Sequence, residues 1–338
     1  MYFSLIICTY QRPHSLINLL ESVSIQTMHP NEVLIIDGSE DDRTKNILNE
    51  QSYANLKYYQ VKEKDRGLTR QRNFGISKTS IKSEIIFFLD DDTVVSTHYF
   101  EEILKVYRQV PEALGVSGYI SNETRWRKVE ESYTPCEKEY FFDGWVREEG
   151  ARFSLRRKFG LAPDEKPGIM PDFSHGYSIG FLPPSDKIYE VELLMGGIAS
   201  YKRIVFDKIR FSKYFEGYGL YEDADFSLRT SRMGKLYVNT AARIEHHHDV
   251  AGRPNKFKYG KMVVRNGWYV WRVKNPNPSL KARIKWNSTS FLLSLIRLGN
   301  IFNTKNRMEA LTESFGRFIG WWSLMIKKPF ARKNEKMQ

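Results

Sequence analysis

Three groups of side chains in this chain have the types and spacing to do chemistry. Asp90, Asp91 and Asp92 close the apolar run Ile85 to Leu89 in EIIFFLDDDT. Adjacent carboxylates repel one another and gather most readily beside a cation. Hard oxygen ligands suit Mg2+ or Mn2+, ions that commonly carry phosphates. A solvated turn capping the following helix is an equally good reading of the tripeptide alone. Glu222, Asp223 and Asp225 form a second group at the head of an expected helix, about Ala224 through Met233, where the helix dipole favours acids whatever their role. The third group is Glu245-His246-His247-His248-Asp249. Alternate side chains of an extended segment point opposite ways, so His246 and His248 could share a site that His247 cannot reach. A surface loop is the other reading. No paired CxxC motif points to structural zinc.

Such groups need a scaffold that brings them together. Tyr2 to Cys8 reads as a strand broken by TYQRP, and Pro13 suits the first turn of a helix in which Leu16, Leu19, Leu20 and Val23 recur at helical spacing. Val33 to Ile36 is a second strand ending in Asp37-Gly38-Ser39, followed by a segment with helix-start chemistry that runs to about Glu50. Leu56 to Val61, a helix around Thr69 to Lys78 and the strand ending in the acidic triplet continue the alternation. The spacing predicts right-handed crossovers and an open parallel sheet with ligands beyond the carboxyl ends of its strands. Thr9, Tyr10, Asp37 and Asp90 to Asp92 all fall at such ends. A helix near His98 to Gln109 and a strand around Leu114 to Tyr119 complete this half. Leu193 to Tyr201 reads as a glycine-bearing turn entering a strand, where missing side chains let the backbone approach a ligand or another strand. Lys235 to Ile244 reads as a last short strand.

The expected organisation is 1–120 as a ligand-binding half, 121–250 as a catalytic half, and 251–338 as a helical C-terminal segment. The catalytic half holds an insertion at about 122–192, rich in proline and in aromatics that are costly to leave in water. Residues 1–250 carry 33 Lys and Arg against 37 Asp and Glu, whereas 251–338 carry 19 against 3, so the net charge of +12 belongs to the tail. Basic amphipathic helices with interfacial aromatics fit an anionic surface, either membrane headgroups or nucleic acid; packing on the protein or on a second copy is the plainer alternative. The longest apolar cluster, Phe291 to Leu298, is interrupted by Ser294 and Arg297 and falls short of the roughly 20 residues of a membrane span. Cys8 and Cys136 are the only cysteines, which excludes a disulfide framework and points to a reducing compartment. With no basic stretch leading a hydrophobic one after Met1, the expectation is a cytoplasmic protein, peripheral on the inner face of the cell membrane.

In combination, TYQRP, IIDGS, GLTRQRNFGI, FFLDDD, GGIASYKR, GYGLYEDADFSLR and ARIEHHH resemble, in order from about Ser4 to His248, the inverting nucleotide-sugar glycosyltransferases of family 2. The resemblance implies an α/β architecture of GT-A type, with a Rossmann-like, mostly parallel sheet flanked by helices, here with a C-terminal helical extension. It implies that Thr9, Tyr10 and Arg12 line a nucleotide pocket, that Asp37 meets the base, and that Arg72 and Asn73 lie near nucleotide or diphosphate. Asp90 would face the ribose with Asp91 beside it, Asp92 and His246 would hold Mn2+ or Mg2+, and Asp223 would be the catalytic base. Gly196, Gly197 and Glu222 would lie at the acceptor. The middle acid leaves the metal register open between Asp91 and Asp92, and His248 is the second choice for the imidazole. The processive-synthase motif QxxRW is absent, so the expectation is transfer of a single sugar from a nucleoside diphosphate sugar to a glycan or lipid-linked acceptor in cell-surface polysaccharide synthesis. A sugar nucleotidyltransferase would want a glycine-rich loop after the first strand, and TYQRP has no glycine. A nucleic-acid-binding module would leave the carboxylates at the strand ends unexplained; no nucleic-acid partner is expected, while oligomer formation stays open.

Overall fold

The computed structural model describes residues 1–50, 52–215, 217–247 and 254–329. The elements begin with β1 (Phe3–Thr9), α1 (Pro13–Ser24), β2 (Glu32–Asp37), α2 (Arg43–Asn49), β3 (Leu56–Gln60), α3 (Leu68–Lys78), β4 (Ile85–Asp90) and β5 (Thr93–Val95). They continue with α4 (Tyr99–Gln109), β6 (Gly115–Ile120), β7 (Arg127–Lys128), β8 (Glu139–Phe142), β9 (Trp145–Glu148), α5 (Ala151–Lys158), β10 (Ile188–Val191) and β11 (Ala199–Lys202). The last are α6 (Arg203–Phe206), α7 (Glu222–Ser231), β12 (Leu236–His246), α8 (Lys256–Lys274), α9 (Leu280–Gly299) and α10 (Arg307–Ile326). The described residues form two compact units, 1–124 with 184–247 and 125–183 with 254–329.

The first unit is built on a sheet in the order β10-β12-β6-β11-β4-β1-β2-β3, with β5 paired to β12. β3, β2, β1 and β4 run parallel, as does β6 with β12. The sheet is mostly parallel, as expected; β11 wedges antiparallel between β4 and β6, and β10 and β5 are antiparallel to β12. Strand side chains alternate between faces. Phe3, Leu5 and Ile7 of β1 join Ile85, Phe87 and Leu89 of β4 in a buried cluster with Leu16, Leu19, Leu20 and Val23 of α1. On the other face Ile6 and Ile36 press on Gly75 of α3, where a Cβ would stand 2.8 Å from Ile6.

Two boundaries differ from expectation in ways that matter for the site. α7 starts at Glu222 rather than Ala224, because Tyr221 takes a left-handed φ of 71° that turns the chain directly into the helix. β12 is eleven residues long, not short, and carries His246 as its last residue. Its register with β6 shifts between Val238 and Arg243, where β12 advances five residues while β6 advances two, an irregularity in the ladder.

In the second unit, segments distant in sequence share one core. Trp271 of α8 and Trp286 of α9 stack with ring centroids 5.3 Å apart, Phe173 and Leu324 join them, and the Trp271 indole N–H donates to the Asp172 carbonyl at 2.7 Å. The proline- and aromatic-rich segment is therefore structured. Its Tyr140, Phe153, Tyr177 and Phe181 form a separate aromatic cluster beside the small sheet β7-β9-β8. α8 and α10 cross at glycines, for a Cβ on Gly316 would run into the carbonyl of Phe257. No helix among the described residues is long and apolar enough to cross a membrane.

Candidate active site

The strand ends stand in one row. Thr9 pairs with Asp37 across β1 and β2, and Cys8 with Asp90 across β1 and β4. Past Asp90 the chain turns through Asp91 and Asp92 into β5, whose antiparallel ladder with β12 sets Thr93 opposite His246. The N–H of His247 donates to the Asp92 carbonyl at 2.9 Å and locks this juxtaposition.

Asp90, Asp92 and His246 each turn one ligand atom into a cluster in which all lie within 4.8 Å of one another. Nε2 of His246 is 3.2 Å from Asp92 Oδ1, and its Nδ1 is 3.2 Å from Glu123 Oε1. A carboxylate on one ring nitrogen orients the other, the usual support of a metal-binding imidazole. Two carboxylates and such an imidazole suit a divalent ion of the Mn2+ type. Burial works against a charged His246 ring, but the hydrogen bonds to Asp92 and Glu123 and the charges of Asp92 and Asp90 outweigh it and push its pKa up to about 10.

Asp91 turns away from that cluster. It is buried, accepts from Thr9 Oγ1 at 2.6 Å and from Arg12 Nη1 at 3.1 Å, while Arg12 also reaches Asp92 at 3.4 Å. Burial pushes its carboxyl up to about 7, against the Thr9 and Arg12 contacts and with the charges of Asp92 and Asp90 adding to the rise.

Arg72 of α3 is the cationic centre of the other half. Its guanidinium is buried, pairs with Glu222, reaches Asp90 Oδ1 at 3.2 Å and lies over the Phe88 and Phe211 rings. Asp223, in the first turn of α7, accepts from its neighbour Ala224 N at 2.8 Å and from Gly196 N at 3.3 Å. Burial raises its pKa above the ordinary carboxylate value against those two bonds and the Arg72 charge. Two glycines join the halves. A Cβ on Gly196 would stand 2.7 Å from Arg72 Nη1 and 2.9 Å from the Asp223 Cβ, and one on Gly197 would overlap the Asp90 carboxylate.

The structure brings Thr9, Arg12, Arg72, Asp90, Asp91, Asp92, Asp223 and His246 together, with Tyr10 exposed beside Thr9. Five of the expected positions are engaged by other parts of the protein. Asp37 is fully buried, with its oxygens occupied by the Ser39 N–H at 2.7 Å and the Tyr58 hydroxyl at 2.9 Å, so it braces the β2 end. Asn73 exchanges hydrogen bonds with the Phe211 backbone at 2.9 and 3.0 Å and so positions that loop. Glu222, expected at the acceptor, is buried beneath Arg72; burial pushes its carboxyl up and the guanidinium opposes this. Gly196 and Gly197, also expected at the acceptor, are buried against the acids. His248 lies outside the described residues. Glu123 was not foreseen: only the strand ladder that carries His246 to it marks it. Gln71 was also missed, although it lies inside GLTRQRNFGI; its amide ties the ends of β1 and β2 through the Thr9 and Ile36 carbonyls at 3.1 and 2.7 Å.

Residues 4–188 match the family model "Glycosyl transferase family 2". An uncharacterized glycosyltransferase of Haemophilus influenzae is 31% identical over 131 residues, covering 39% of this chain and 42% of that protein. A glucosyl-dolichyl phosphate glucuronosyltransferase of Haloferax volcanii is 27% identical over 135 residues, covering 38% and 42%. The matched stretch therefore spans about two-fifths of the length of these curated relatives. Among solved structures, GalNAc-T7 with UDP, GalNAc and Mn2+ superposes with a TM-score of 0.52 at 15% identity, covering 80% of this chain and 50% of the other, a likeness of fold.

Proposed function

The chain belongs to glycosyl transferase family 2, and from that premise we propose that it moves a single sugar from a nucleoside diphosphate sugar to an acceptor hydroxyl with inversion. Asp223 takes the proton of the hydroxyl as its oxygen attacks the anomeric carbon. The bond from that carbon to the diphosphate oxygen breaks on the opposite face, and the configuration inverts. A base with a raised pKa is better matched to this task near neutral pH than an ordinary carboxylate. Asp90, Asp92 and His246, steadied by Glu123, are the residues that would hold Mn2+ or Mg2+, which when bound neutralises charge on a departing diphosphate. Arg72 adds a fixed positive charge between Asp90 and the helix that carries Asp223.

The observation that carries this reading is the Gly196-Gly197 turn, whose backbone touches Asp223 on one side and Asp90 on the other and so binds base and metal cluster into one constellation. A glycan or lipid-linked acceptor in cell-surface polysaccharide synthesis is the acceptor class we favour; the relative named for a glucosyl-dolichyl phosphate substrate supports it. Asp223→Asn tests the assignment. Donor binding, read by thermal shift with Mn2+, should persist while release of nucleoside diphosphate falls by roughly two to four orders of magnitude. Transfer near the native rate by this variant would remove Asp223 from the role.

A further inference from the structure

Two helices of the second unit leave large apolar side chains in water, and these fall on coherent helix faces. On α9, Leu280, Ile284, Phe291 and Leu295 are exposed. At 100° per residue they lie within about 60° of arc. On α10, Met308, Leu311, Phe315, Ile319, Trp322 and Ile326 are exposed, at i, i+3, i+4 and i+7 spacing on one stripe about 80° wide. Phe291 meets Phe318 and Trp321 of α10 at 5.7 and 6.0 Å, and Phe257 of α8 meets Phe315 at 6.0 Å, so the stripes merge into one surface. Trp322 is 57% exposed and Ile326 is 91%. Single exposed apolar residues are ordinary on protein surfaces, but a continuous face of this kind marks a binding surface.

The charges around it say what that surface meets. Helices α8 and α9 contain no acidic residue. Of the two in α10, Glu313 is buried between Arg297 and Arg317. On the helical wheel Lys281 and Arg283 lie past opposite edges of the α9 stripe, and Arg307, Lys327 and Lys328 bracket the ends of the α10 stripe, all exposed. A second copy of this chain seated on the same face would bring these cations against their own kind with almost no acid to answer them. An anionic lipid surface supplies both what the stripe needs, a boundary of acyl chains, and what the rim needs, phosphate charge. We propose that the α9–α10 face is a membrane-docking surface, with both helices lying in the interface of an anionic bilayer. The proposal is independent of the transferase reading and rests only on the second unit.

The test is flotation of the full chain with vesicles of phosphatidylcholine alone and of phosphatidylcholine with one-third phosphatidylglycerol. Recovery with the anionic vesicles, reduced by salt and accompanied by a blue shift of tryptophan emission, is expected. Phe315→Ser together with Trp322→Ser should lower the bound fraction at least tenfold, and Lys281→Glu with Arg283→Glu should abolish the preference for anionic lipid. Circular dichroism matched to the native chain confirms that the exposed substitutions leave the fold in place. Equal recovery with neutral and anionic vesicles, or none with either by the native chain, overturns the proposal. So does a native dimer in sedimentation equilibrium that Trp322→Ser dissociates, since the face would then belong to a second copy.

Discussion

Gly197→Ala is the smallest change that should separate the site from the fold. Glycine is required there because a Cβ would occupy the space of Asp90 Oδ2 and stand 3.0 Å from Oδ1. The Asp90 side chain is 37% exposed, so it can rotate outward and spare the fold most of the clash. In doing so it leaves Arg72 and withdraws one of the three ligand atoms gathered with Asp92 and His246. Returning to ligate would mean accepting the overlap, and overpacking of this kind costs about 1–3 kcal/mol. At about 1.4 kcal/mol per decade, Mn2+-dependent affinity for a nucleoside diphosphate should fall roughly 5- to 150-fold. The measurement is the rise in unfolding midpoint with UDP, GDP or dTDP at fixed concentration, with and without Mn2+, since ligand stabilisation follows the logarithm of concentration over Kd. Gly150→Ala, where a Cβ meets nothing within 4 Å, is the control. A variant that keeps the native Mn2+-dependent shift would show that the position of Asp90 is irrelevant to the cluster, and the metal reasoning would fail with it.

Gly316→Ala should destabilise the second unit by about 3 kcal/mol, because its Cβ meets the immobile Phe257 carbonyl, whereas Gly299→Ala, with open space around it, should be neutral or slightly stabilising; urea unfolding followed by tryptophan emission compares them. His175 is half-buried, and its desolvation, with the nearby Arg156 and Arg317 charges, pulls its pKa down to about 3. Between the ordinary pKa near 6.5 and 3, the unfolded chain therefore binds a proton that the folded chain refuses. Stability falls as pH drops, by about 2 kcal/mol at pH 5 from this group, and His175→Asn should remove that part of the acid sensitivity in urea titrations at pH 7 and 5.

What the sequence made legible was whatever depends on local pattern. Apolar runs broken by Thr9, Asp37 and Asp90 marked strand ends, and the parallel register set those ends side by side. Helical spacing identified α1 through Leu16, Leu19, Leu20 and Val23, all buried. Illegible was whatever depends on pairing across long distances. β11 joins the sheet antiparallel between β4 and β6, an orientation set by partners far along the chain and not by its own residue pattern. Asp37, Asn73 and Glu222 look available in sequence, yet each is engaged by partners from 2 to 150 positions away. Glu123 gains its place beside His246 through a hydrogen bond spanning 123 positions. For α9 and α10 the apolar positions were visible, but which of them join Trp271 and Trp286 in the core and which stay in water depends on packing between helices.

The register shift in β12 has a consequence for how this protein can change over time. Between Val238 and Arg243 the strand takes up three residues more than β6 does, and everything after it, Ile244 through His246, inherits the resulting phase. Because a strand alternates its faces with every residue, one position lost or gained in that span would carry the imidazole to the opposite side of the sheet while leaving every ligand type still encoded. The spacing of residues 239–242 is therefore as much a part of the cation-binding apparatus as the histidine itself, although none of those four side chains is in the ligand cluster.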